Sequence, residues 1–198
     1  MAWTPSDAQK ATGKTIWQIW RKMGYNEYAT AGMLGFITWE SQLNAGVSEY
    51  GGGGGYGLVQ WTPKENLYIQ AAKLGMSNAE AETIKGQATI IGEGDKTGQW
   101  LDYYSPVVYV DGAVQPLTLA NFKKADSTKY AVANFQAHFG RGAVATLHLA
   151  ERNEYANYWY KAFTGLNPDS GGGGSTTNAK QTMIVLDTFL PKYRRLQS

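Results

Sequence analysis

The chain has no cysteine. That excludes disulfides, thiolate metal sites and a thiol nucleophile, and it fits a cytosolic origin or a scaffold indifferent to redox state. Histidine is nearly as scarce. His138 and His148 are the only two, and they lack a metal-ligand spacing such as His-Glu-x-x-His, so no metal is expected. Without Cys and without a Gly-x-Ser-x-Gly elbow, a nucleophilic triad has nothing to build on. The charges nearly cancel, 18 Lys and Arg against 16 Asp and Glu, which argues against a nucleic-acid binder. No run approaches the roughly 20 apolar residues of a membrane span. Met1-Ala2-Trp3-Thr4-Pro5-Ser6-Asp7 has neither a basic nor an apolar signal region, so any role outside the cell requires a route other than a signal peptide.

What is present is enough for one compact domain: 198 residues, 43% of them hydrophobic. Aromatic side chains are abundant, with 7 Trp, 13 Tyr and 6 Phe. Such rings fill cores, or serve as platforms for flat amphipathic ligands, sugars included.

Ser6 reads as an N-cap for a helix over residues 7–23, stopped by Gly24, with Ile16, Trp17, Trp20 and Met23 as its apolar stripe. Asn26 caps a second helix that runs to about Ser41. Residues 46–57 must be loop, because their glycine run is too permissive for regular structure. Thr62-Pro63 predicts an N-cap with proline in the first turn, and Leu74-Gly75 the end of that helix. Asn78 caps a segment reaching about Glu93. Residues 107–110 and 113–115 flank Asp111-Gly112, a hairpin signal. Further helices are expected over residues 119–124, 129–138 and 144–163. The fold class is therefore mainly α (α+β), with a small Gly-rich or β-like lobe. Residues 1–166 form the expected domain, 167–178 a Gly/Ser-rich linker, and 179–198 a tail that is either the start of another module or a strap.

One acidic residue stands out. Glu40 lies four residues after Phe36, three after Ile37 and seven after Met33, on the apolar side of its helix. It also falls in the last turn, where the helix dipole disfavours an anion. A carboxyl kept in its acid form is what a leaving glycosidic oxygen needs. The glycine loop follows, and then Gly57-Leu58-Val59-Gln60, read as a short extended piece with Tyr56, Leu58 and Gln60 on one side. Gln60 can hold a sugar hydroxyl, an acetamido group or a water. The glycine run lacks the Gly-Lys-Ser/Thr ending of a phosphate loop. Tyr155, Tyr158 and Trp159 share a helix face and read as core.

These residues carry a resemblance. Ala31-Gly32-Met33-Leu34-Gly35, Trp39-Glu40-Ser41 and Gly55-Tyr56-Gly57-Leu58-Val59-Gln60-Trp61-Thr62-Pro63 resemble the phage tail lysozyme family. Gln99-Trp100 and Glu151-Arg152 with Tyr158-Trp159-Tyr160 are similar to its later signatures. The likeness spans about residues 16–163, and the Glu-Ser and Gly-Leu-x-Gln pairing is also similar to goose-type lysozymes and soluble lytic transglycosylases. It implies a lysozyme-like fold, peptidoglycan glycan strands as substrate and Glu40 as general acid. It also implies a virion protein of the phage tail, acting at the bacterial wall alongside other tail proteins. No cofactor is implied. The chain departs from the family in having Phe36 for the usual Asn, Ala45 for Pro, and Phe139-Gly140-Arg141 for Tyr-Glu-Arg, which removes an acid.

Site expectations follow. Glu40 and Gln60 are the catalytic candidates. Trp39, Ser41, Tyr50, Tyr56, Trp61 and Trp100 are candidates for binding the glycan. Glu49 and Glu93, with Asp95 beside the latter, are candidates for a second carboxylate, which retaining and inverting glycosidases place at different separations from the first. Three outcomes stay open: hydrolysis, a lytic transglycosylase forming 1,6-anhydro ends, and a non-catalytic wall-binding or tail structural module.

Overall fold

The computed structural model describes residues 3–49, 51–103, 112–141 and 148–169, and these are mostly helical. The expected linker from residue 170 onward, the whole tail, Tyr50, and the hairpin strand at 107–110 lie outside the described residues. The helices are α1 (Asp7–Lys22), α2 (Glu27–Ser41), α3 (Glu65–Lys73), α4 (Asn78–Ala81), α5 (Ile84–Gly92), α6 (Gly94–Thr97), α7 (Leu119–Phe122), α8 (Thr128–Phe135) and α9 (Leu149–Phe163). A π-helical turn, Gln136–Gly140, continues α8.

Local chemistry explains the first two helices. Ser6 accepts from the Gln9 amide while the Gln9 side chain accepts from Ser6, a reciprocal capping box. Asn26 accepts from Ala29 N–H at the start of α2. The two form an antiparallel hairpin, and the Gln9 carboxamide reaches Gln42 just past the end of α2. An apolar stripe was expected on α2, yet Ala29 through Thr38 are all buried. The helix is the axis of the domain, covered by α1, α8 and α9. Only its two ends, Glu27-Tyr28 and Trp39-Glu40, are partly exposed.

Close approach makes this possible. A β-carbon on Gly32 would lie 2.4 Å from the Ala131 β-carbon of α8, and one on Gly35 would lie 2.4 Å from the Arg152 carbonyl of α9. Helix α9 runs antiparallel to α2: His148 stacks on Trp39, and at the far end Gly165 N–H donates to the Glu27 carboxylate. Between these ends the buried Trp159 indole donates to Thr38 Oγ1 at 2.9 Å. Trp159 is fully buried and Tyr155 nearly so, as expected for core, with Trp3 packed against both and against Tyr158.

Several expectations are corrected. Thr62 does not cap a helix at Pro63. Its hydroxyl donates to the Gln60 carbonyl at 2.9 Å, and α3 begins only at Glu65. The cap before α4 is Ser77, one residue ahead of Asn78, and the segment breaks at Glu82-Thr83 into α4 and α5, with Thr83 capping the second. The helix expected over 144–163 is described from Leu149 onward, and residues 142–147 lie outside the description. Residues 57–60 are not extended. Tyr56 and Trp61 exchange both backbone hydrogen bonds, at 3.1 and 2.9 Å, and close a tight turn with Gln60 at a left-handed φ of 54°.

This small lobe contains two isolated β-bridges, Ser48 with Tyr56 and Tyr56 with Trp61. It is fastened to the helices by Gln87 of α5, a fully buried carboxamide. Gln87 accepts from Leu58 N–H and donates to the Ala45 carbonyl, both at 2.7 Å. Turn and loop are thus held by one side chain that satisfies two buried backbone groups.

Two predictions arise here. Gly35→Ala forces a methyl into the α9 backbone and should cost about 3 kcal/mol, the upper end of overpacking, read as a lower urea midpoint. An unchanged midpoint would refute the close contact. Gln87→Leu leaves Leu58 N–H and Ala45 C=O buried and unpaired, and should cost about 2 kcal/mol or more. Hydrogen exchange should then speed up at the Leu58 amide well beyond any change in α1 and α2; uniform exchange across both regions would contradict the fastening role.

Candidate active site

Glu40 lies in the last turn of α2, where the helix reaches solvent again after its buried middle, with its side chain 22% exposed. The expectation of purely apolar surroundings is wrong. Arg152 of α9, 112 residues away in sequence, donates through Nη2 to Glu40 Oε1 at 2.5 Å. Its guanidinium is 4% exposed, lies 4.2 Å from the centre of the Phe36 ring, and donates to the Phe36 carbonyl at 3.3 Å. A cation therefore faces the carboxyl where burial and dipole alone were expected to work against an anion.

Phe36 connects this pair to a cavity. Its ring fills the space over Gly140, where a β-carbon would fall 2.6 Å from the ring. Gly140 belongs to the wall of a cavity of about 380 Å³, with Val59, Gln60, Trp61, Gln99 and Arg141 among the other lining residues. Glu40 is not itself in that wall; it stands one helical turn, about 5 Å, beyond Phe36 on α2. The Arg141 guanidinium donates to the Gln99 carbonyl and to Gln99 Oε1, so the side facing Gln60 is polar and braced.

On the small lobe, Gln60 donates through Nε2 to the Gly57 carbonyl at 2.9 Å, which fixes the plane of its carboxamide. Glu49 accepts from Gly55 N–H at 3.2 Å. A β-carbon on Gly55 would lie 2.7 Å from Gln60 Oε1 and 3.1 Å from Glu49 Oε2, and one on Gly53 would lie 2.2 Å from Glu49 Oε2. The Glu49 and Gln60 side chains therefore converge on Gly55. The intervening Gly51, Gly52 and Gly54 have φ of 92°, 86° and 84°. The run of glycines is used throughout, either for backbone conformation or for space under two polar side chains.

The other candidates divide. Trp61 lines the cavity with its face largely buried against the edge of Phe139. Tyr56 sits beneath the Lys64 ammonium, 4.0 Å from the ring centre; burial, with Glu82 adding, pushes its hydroxyl above the ordinary phenol range. Trp39 flanks Glu40 and stacks on His148 at 4.3 Å. Ser41 turns inward and donates to the Ile37 carbonyl at 2.9 Å, so it does not face a ligand. Trp100 is core, stacked on His138 at 5.1 Å and donating to the Leu117 carbonyl. Glu93 is ion-paired with Lys96 at 3.1 Å and follows Gly92, which packs on Met23 and Trp20 at the other end of the α1/α2 hairpin from Glu40. Asp95 belongs to that same region, where burial and Asp102 raise its carboxyl above the usual range.

Sequence reasoning missed Arg152 as the partner of Glu40 and Gln87 as the fastener of the lobe. Nothing local marks either, since both act across the fold. Among the described residues no group of three or more His, Asp or Glu could hold a metal ion, and no helix is long and apolar enough to cross a membrane.

No curated protein matches the chain. The sequence profile of the phage tail lysozyme family, by contrast, matches residues 11–163, from within α1 to the last residue of α9. That stretch contains Glu40, Arg152, the glycine loop, Gln60 and the cavity, on a mainly α, lysozyme-like fold. The chain belongs to the phage tail lysozyme family, whose name denotes peptidoglycan degradation.

Proposed function

We propose that the protein cleaves the β-1,4 bond between N-acetylmuramic acid and N-acetylglucosamine in peptidoglycan, with Glu40 as general acid. The supporting observation is the position of Glu40, partly exposed in the last turn of a helix with a buried middle and one turn from Phe36, whose ring packs on Gly140 of the cavity wall. Its proton passes to the glycosidic oxygen as the bond to C1 breaks, and the oxygen departs with the bonding pair. In hydrolysis a water then bonds to C1 and gives up a proton. Gln60, with its carboxamide plane fixed, orients the sugar or that water. Trp39, Tyr56 and Trp61 supply the contacts to the pyranose rings.

Glu49 is the proposed second carboxylate, because it is the acid that meets Gln60 over Gly55. It would take the proton released by the attacking water. In this reading residues 1–166 are the catalytic domain, and 167–178 link it to whatever residues 179–198 begin. The domain is carried on a phage tail with other tail proteins and opens the wall locally during entry.

The test is mass spectrometry of soluble fragments from purified Gram-positive peptidoglycan, comparing the chain with Glu40→Gln. Reducing-end muropeptides from the unaltered chain that vanish in the variant are expected. Glu49→Gln should lower the yield by about 100-fold or more, the usual range for a proton-transfer group. Termini of the 1,6-anhydro type would replace hydrolysis by transglycosylation, and no fragments from any chain would leave a wall-binding module.

A further inference from the structure

The cation beside Glu40 is built more deeply into the fold than the acid it faces. Gly35 brings the α9 backbone against α2, and Arg152 leaves that contact in a fixed direction. Its guanidinium is then held on two sides, by the Phe36 carbonyl at 3.3 Å and by the Phe36 ring at 4.2 Å. The ring is confined in turn, with Gly140 on one side and Phe135 edge-on at 5.0 Å. Stability alone does not call for this arrangement. An ion pair at such depth is often no better than apolar packing of the same volume, because both charges lose water.

We infer that Arg152 is the positioning residue of the site. It fixes the Glu40 carboxyl at the end of α2 and meets the negative charge that this carboxyl acquires as its proton leaves. The inference rests on the general-acid reading of Glu40. In the bond-breaking step the O–H bond of Glu40 breaks, an O–H bond forms on the leaving oxygen, and the carboxyl becomes a carboxylate. A guanidinium 2.5 Å away stabilises that charge without moving. Arg152 touches the acid and not the substrate, so its loss is read in kcat rather than in KM.

Phe36 and Gly140 determine how well this works. The ring packs 4.2 Å from the guanidinium, and it fits there only while residue 140 has no side chain. Arginine is suited to the task because its planar fork can bridge a carboxylate and a carbonyl at once, whereas an ammonium is a point charge on a flexible stem.

The experiment is steady-state kinetics on soluble, uncrosslinked glycan strands, with a melting curve for each protein. Arg152→Met should lower kcat about 100-fold with KM within about twofold, and Arg152→Lys should recover about tenfold of that loss. A merely structural Arg152 would lower the melting temperature while leaving kcat per folded molecule within about threefold of the original; that result overturns the inference. If the Met variant does not fold, the Lys variant decides, with a reduced kcat at unchanged KM supporting the assignment and an unchanged kcat overturning it. Glu40→Gln separates the two readings. A Glu40→Gln protein that still cleaves glycan removes the general acid itself, whereas an inactive Glu40→Gln beside a fully active Arg152→Met removes only the role of Arg152.

Discussion

Backbone meets backbone where α2 and α9 cross at Gly35, and the site depends on that contact. Antiparallel helices separated by ordinary side chains would leave Arg152 and Glu40 too far apart for a direct bond. With only a hydrogen at position 35, the α9 carbonyl at Arg152 comes within van der Waals range of α2. The same approach seats the Trp159 indole on Thr38 and joins Gly165 to Glu27 at the far end. Because α2 is buried from Ala29 through Thr38, Glu40 extends from a packed helix rather than from a surface one.

The small lobe follows another logic. It has almost no apolar interior of its own beyond Leu58 and Trp61, and almost no regular pairing. Its shape comes from specific polar contacts: Gln87 to two backbone groups, Glu49 to Gly55, Gln60 to Gly57. A lobe built this way places polar side chains accurately without a large core, provided each buried donor and acceptor is matched. The domain thus pairs a buried helix that ends at Glu40 with hydrogen-bonded turns that carry Gln60 and Glu49.

Elements governed by near neighbours were legible in the sequence. The caps at Ser6 and Asn26 act over three residues, and both helices begin where those side chains indicate. Glu40 and Gln60 stand out in the sequence because the helix end and the glycine loop beside them are local features. Thr62 misled because its hydroxyl serves the preceding turn instead of the following helix. Ser41 and Trp100 misled because exposure is decided by whichever elements fold over a residue, and for Trp100 these are α7 and the π-helical turn. The partnership of Arg152 with Glu40 spans 112 residues and has no local signature at either end. The two departures from the family at Phe36 and Gly140 were visible separately, and only the fold shows that they touch.

That contact has a consequence for how such a site can change over generations. A chain with a smaller residue at position 36 and a side chain at 140 can reach the present pair by two routes. Installing the ring first drives it into the side chain at 140, while reducing 140 to glycine first merely opens a void that the ring later fills. The first order passes through a steric conflict beside Arg152 and the second does not. The two positions therefore change most easily in that order, and exchanging α2 alone for one with a ring at 36 would drive that ring into any side chain at 140.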